Sequence, residues 1–149
     1  MIRAKRWRAA ALAATRATPD EVAGIRDAFD ALASLNGSEP EYQAADVALH
    51  TRIVAASGNQ FFQQMTAIVR GALVTVYPIV AGIATMRDAT LDAQRHVVEA
   101  IEAHDAGAAE RAMSTLINVT AEEVGRAFSL ERREDNSSPP IGASESAGA

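Results

Sequence analysis

At 149 residues the chain suits one domain with a substantial core. A net charge of −5 argues against an electrostatic nucleic-acid binder, and the absence of cysteine excludes disulfides, thiolate-ligated zinc and thiol catalysis. Hydrophobic residues make up 48% but aromatics only 5%, Ala is prominent, and no β-branched alternation appears, so the expected class is all-α.

The opening "MIRAKRWR" carries Arg3, Lys5, Arg6 and Arg8, with no acid before Asp20. It lacks the apolar stretch of roughly 7–15 residues that a secretory signal needs, although an Arg-rich, acid-poor start also resembles a mitochondrial transit peptide. A first helix is expected from Arg3 to Arg16, with Trp7 either directed into the core or packed against an interdomain linker. Next, "ATPDE" offers Thr18 as N-cap, Pro19 at the first helical position and Glu21 closing a capping box. The second helix then runs to about Leu35, with Val22, Ile25, Phe29 and Leu32 on one stripe. Asn36, Gly37 and Pro40 form a loop, and a third helix spans about Glu41 to Ala56, ended by Gly58.

A fourth helix is expected from Gln60 to about Met86, buried along Met65, Ile68, Val69, Ala72, Leu73 and Val76 and kinked at Pro78. Gly82 and "RDAT" bring it to a close. Its apolar run is shorter than the ~20 residues of a membrane span, and with the cysteine usage this predicts a soluble, cytoplasmic chain. Thr90 is read as the cap of a fifth helix from Leu91 to about His104, and Asp105 as the cap of a sixth from Ala106 to about Leu130. The domain is thus expected over 1–130. Residues 131–149 are rich in Ser, Pro, Gly and charge and are expected to form a disordered tail.

Within "ADVALHTRIVAASGN", Asp46 and His50 stand at i and i+4, on a face shared with Leu49 and Ile53. Half of a metal site, a polar patch in a ligand pocket, and a locally paired Asp and His at a helix surface all have this spacing. In the fifth helix Leu91, Val97, Val98 and Ile101 form the apolar stripe, and Gln94 falls on it. A core-facing Gln needs hydrogen-bond partners, which favours a polar pocket beside the reading of a satisfied core Gln. His96 lies off the stripe with Asp92 and Glu99 and is expected to be solvated.

"DVALHTRIVAASGN" followed by "HVVEAIEAHDAGAAERAMSTLI", with the earlier "AAALAATRATPDEVAGI", resembles the FCD family, the effector-sensing domain of GntR-type bacterial transcription regulators. The likeness runs from about Arg3 to Phe128. It implies an antiparallel bundle of six or seven helices around a central cavity. In many members one Asp and three His hold a divalent metal there, which helps bind a small carboxylate effector. By position Asp46 and His50 match the family's D-x-x-x-H, whereas Gln94 and Leu116 stand where the other two histidines belong. His96 is two residues away and about 200° around the helix, so it is a poor substitute. Gln is a weak transition-metal ligand and Leu is none, so any metal held by Asp46 and His50 is expected to be weak or lost. No cofactor is otherwise expected.

The resemblance implies a ligand-sensing, dimerising domain that is not an enzyme. Asp46, His50, Gln94 and Leu116 would line its pocket, with Arg70 as counter-charge to a carboxylate. A homodimer is expected through helix faces, with the Ala-rich first and fourth helices as packing surfaces. DNA contact would come only through a winged-helix domain that no segment of this sequence resembles, and "RAKRWR" reads either as a linker stub or as a solvated helix face. Two rival readings remain: a ligand-free structural module, and an enzyme using Asp46 and His50 as orienter and base. Against the enzyme stand the lack of a nucleophile, a phosphate loop or a second acid in the motif.

Overall fold

The computed structural model describes residues 2–36, 39–64, 67–68, 71 and 84–137. In chain order the helices are α1 (Ile2–Arg16), α2 (Pro19–Ser34), α3 (Glu39–Ala56), the helical residues 60–64, 67–68 and 71 (α4), α5 (Ala84–Glu102) and α6 (Ala106–Ser137). The fold is an all-α bundle, with no strand among the described residues. No helix among those residues is long and apolar enough to cross a membrane. Met65, Val69, Arg70, Ala72, Leu73, Val76, Pro78 and Gly82 lie outside the described residues, as do Gly37, the Trp7 side chain and the tail beyond Ser137.

The α1–α2 junction forms as its sequence dictates. Glu21 N–H donates to Thr18 Oγ1 at 3.2 Å, and Thr18 N–H donates to Glu21 Oε2 at 2.9 Å, with Pro19 opening the helix. Ile25, Phe29 and Leu32 are buried and Val22 is half-buried. Phe29 also lies under two guanidinium groups, those of Arg26 at 5.7 Å and Arg95 at 5.6 Å from the ring centroid.

α1 packs on α3, α5 and α6, and α2 packs on α3 and α5. The face of α1 that meets them is Ala9, Ala10, Ala13 and Ala14, all buried. Alanine lets neighbouring backbones approach closely at no side-chain entropy cost. That corrects one expectation: this face is already covered by the chain's own helices, so it cannot serve as a dimer surface. α4 differs in the opposite sense. Ile68, expected on a buried stripe, is 67% exposed, and Phe61, at i−7 on the same side, is 49% exposed. Apolar periodicity identifies a face without identifying what covers it.

Both connecting turns close on the C-terminal end of α1. At the end of α3, Gly58 takes the left-handed conformation (φ 64°), and Arg16 donates to Ser57 O at 3.3 Å. Asn59 then caps α4, accepting from Phe61 N–H at 3.0 Å. At the end of α5, His104 takes the same conformation (φ 53°). His104 N–H donates to Ile101 O and Asp105 N–H to Ala100 O, each at 3.0 Å, the paired bonds of a Schellman ending. Asp105 in turn caps α6, as expected, accepting from Ala108 N–H at 2.8 Å. The His104 Nδ1 lies 2.9 Å from Ala14 O. A carbonyl only accepts, so Nδ1 carries the proton and satisfies one of the orphan carbonyls at the end of α1.

Two boundaries differ from expectation. α5 begins at Ala84, so "RDAT" lies inside it and Thr90 is no cap: its hydroxyl turns back to Arg87 O at 3.1 Å. A Thr hydroxyl bonds a preceding carbonyl as readily as a following N–H. Arg87 has its own reason to be helical here. It stacks 4.1 Å over the Tyr42 ring and donates to Leu35 O at 2.8 Å, tying α5 to α3 and to the end of α2. α6 continues past Leu130 to Ser137, because "LERRED" is built of good helix formers that need no core to remain helical at the end of an existing helix.

Candidate functional site

α3 and α5 each pack on both α1 and α2. Among the described residues no Cα of one comes within 8 Å of a Cα of the other, so only side chains cross between them. Two contacts do: Arg87 of α5 over the Tyr42 ring of α3, and a hydrogen bond deeper in the bundle. Gln94 of α5, 3% exposed, donates its amide N–H to Asp46 Oδ1 of α3. His50, one turn after Asp46, places Nε2 3.5 Å from the same oxygen. The Asp46 and His50 side chains are 15% and 33% exposed, so the cluster runs from a buried amide to a solvent-reached imidazole.

The apolar stripes position these groups. Leu49 and Ile53 bury α3 and carry Asp46 and His50 to the edge of the same face, while Val97, Val98 and Ile101 bury α5 and take Gln94 inside with them. The structure therefore brings together three of the residues singled out by sequence. Leu116 is buried in the apolar core on α6, which packs on α5 and α1. Arg70 lies outside the described residues. His96 is solvated as expected, at 61% exposure, 3.9 Å from an Asp92 that is 71% exposed.

The cluster holds unmet hydrogen-bonding capacity. With its nitrogen committed to Asp46, Gln94 leaves Oε1 buried and without a partner. Exchanging the two amide atoms would set that oxygen against a carboxylate, so the assignment follows from the acceptor-only chemistry of Asp46. One turn before Asp46, Gln43 has a buried Nε2 that also lacks a partner. Sequence reasoning missed Gln43, although the spacing 43, 46, 50 is a helical stripe that could have revealed it. It also missed His104 as a tie to α1, because the usual signal for a left-handed helix ending is Gly.

A divalent metal does not fit these residues. Asp46 Oδ1 already accepts from the Gln94 N–H, Leu116 offers no donor atom, and no group of three or more His, Cys, Asp or Glu suited to a metal occurs among the described residues. A separate groove of about 400 Å³ lies between α1, the α3–α4 turn and the start of α6, with Arg8, Leu12, Asn59 and Phe62 in its walls. None of the cluster residues lines it.

The sequence profile of the FCD domain matches residues 8–119, well over half of the chain. This chain belongs to the FCD family. FCD domains are the effector-binding domains of GntR-type regulators, a regulatory ligand-binding family and not an enzyme family. Among curated proteins none matches the sequence. The matched span contains Asp46, His50, Gln94 and Leu116 and ends within α6.

Proposed function

We propose that this FCD domain senses a small organic effector, which the family implies is a carboxylate, at the Asp46–His50–Gln94 cluster, and that it acts as a homodimer in the cytoplasm. The observation that carries this reading is the buried Gln94 amide crossing between two helices to reach Asp46. A polar group in that position is costly to bury unless it is fully partnered, and here half of its capacity is unmet. Leu116 would give the pocket an apolar wall, and Arg70 would supply the counter-charge. Any divalent metal would be held weakly, since Asp46 and His50 alone cannot close a site. In a complete regulator, effector binding would shift the population of bundle conformations and so reposition the winged-helix domains that contact DNA.

The dimer surface would lie on α4. Phe61 and Ile68, its exposed large apolar side chains, support this choice. The test combines thermal melting against a panel of short mono- and dicarboxylates with light scattering. At about a hundred times its dissociation constant an effector adds about 2.7 kcal/mol of stability, enough to raise Tm by several degrees. A panel that moves Tm nowhere at tens of millimolar counts against sensing, and a monomer mass at high micromolar protein counts against the dimer.

A further inference from the structure

Resting on that reading of the site, we propose that Gln94 and Gln43 make the pocket selective for an effector carrying a hydroxyl group, which donates to Gln94 Oε1 and accepts from Gln43 Nε2. Gln94 is almost wholly buried, its nitrogen is fixed by Asp46, and its oxygen is left as a bare acceptor. Gln43 supplies the opposite need, a buried N–H with nothing to receive it, from the turn of α3 before Asp46. A group that meets both must donate and accept at once. A hydroxyl does so, an ammonium only donates, and a carboxylate only accepts.

Charge points the same way. An ammonium beside Gln94 would have to shed its water next to a neutral amide, while the nearby Asp46 Oδ1 already takes the Gln94 N–H and faces His50. A carboxylate pressed on Gln94 Oε1 would meet an acceptor with an acceptor. A neutral hydroxyl carries neither penalty. Sites whose buried polar groups wait for a ligand hydroxyl also reject analogues that lack it, since the unpaired groups then remain unpaired. Gln94 thus stands where the family places a metal-binding histidine, and here that position reads a hydroxyl without a metal.

The experiment uses matched acids differing by one hydroxyl: 3-hydroxybutyrate against butyrate, and malate against succinate. Affinities are measured by calorimetry on the chelator-treated chain. The hydroxylated member of at least one pair is expected to bind about tenfold or more tightly. Gln94→Met and Gln43→Met, of similar length but without amides, are expected to reduce that ratio toward one. Should either variant fail to fold, side-chain amide spectra of the wild-type chain labelled with 15N at glutamine provide the readout. The Gln94 and Gln43 resonances should move with the hydroxylated acid and stay with its counterpart. Equal binding within both pairs overturns hydroxyl selection and leaves effector sensing standing, the result expected if ordered water pairs both amide groups. A preference that survives both variants overturns the residue assignment. No binding by any of the four acids overturns the inference and counts against the sensing reading as well.

Discussion

Asp46–His50 on α3 and Asp92–His96 on α5 have the same residues at the same spacing, yet only the first is joined by a buried group from another helix. The ring nitrogens lie 3.5 Å and 3.9 Å from their carboxylates, a difference too small to separate the pairs. Surroundings separate them. Asp46 sits at the border of a buried stripe and receives a third group from a helix across the bundle, whereas Asp92 and His96 are both well exposed to water. An i,i+4 pair on a wet helix face contributes a few tenths of a kcal/mol and specifies nothing further. The same pair beside a buried amide becomes part of a network in which every unmet bond is costly.

The strongest way to break the comparison is to turn the first pair into a metal centre. Replacing Gln94→His and Leu116→His together should raise zinc affinity by at least about a hundredfold, ~3 kcal/mol, because two neutral imidazoles join Asp46 and His50. Either change alone should do much less. The wild-type chain should lose its metal to brief chelator treatment with little change in Tm. Metal content after dialysis decides the matter: tight stoichiometric metal in the wild type would show that another residue replaces the missing histidines, and no gain in the double variant would show that these four positions do not converge.

A smaller effect compares the two aspartates directly. Asp46→Ala strips the Gln94 nitrogen of its acceptor and leaves both ends of a buried amide unpaired, a cost of about 1–3 kcal/mol. Asp92→Ala on the exposed face should stay within about 0.5 kcal/mol of the wild type. Urea unfolding of the two variants checks this. Equal losses would mean that the α3–α5 bridge carries no more than a surface pair does.

Where local chemistry has one solution, the sequence could be read directly. Thr18-Pro19-x-Glu21 has a single favourable arrangement, and it forms. Gln94 could be placed inside because three neighbouring aliphatics fix the phase of α5. Reading failed where a residue has two roles of similar energy. Thr90 could cap or back-bond, and the partners of Arg87 on α2 and α3, invisible in sequence, decided for a continuous helix. The α1 alanines could face a partner or the chain's own core, and only tertiary packing distinguishes those. His104 in a left-handed ending is unfavourable locally and is explained by an acceptor ninety positions earlier in the chain.

The mildest test adds a third charge pair, intermediate between the other two in exposure. Arg26 of α2 meets Glu102 of α5 in a two-pronged contact, with Nε to Oε1 at 2.7 Å and Nη2 on Oε2. The hydrogen bond from Arg26 holds the Glu102 carboxyl below its ordinary value and the Arg26 guanidinium above its own, with partial burial opposing both shifts. A carboxyl lowered in the folded state contributes stability that is fully present above its unfolded pKa, about 4.3, and is lost as pH falls through the lower folded value. Since the two side chains are about a third exposed, solvent screening should hold this contribution below about 1 kcal/mol. Glu102→Gln should therefore cost a few tenths of a kcal/mol at pH 7, and the gap to the wild type should narrow as the wild-type carboxyl protonates on acidification. Raising salt should shrink it only in part, because two aligned hydrogen bonds remain when the Coulomb attraction is screened. If urea melts at pH 7 and at pH 3 return the same difference between the two proteins, the contact acts through packing against Phe29, and charge has no part in linking α2 to α5.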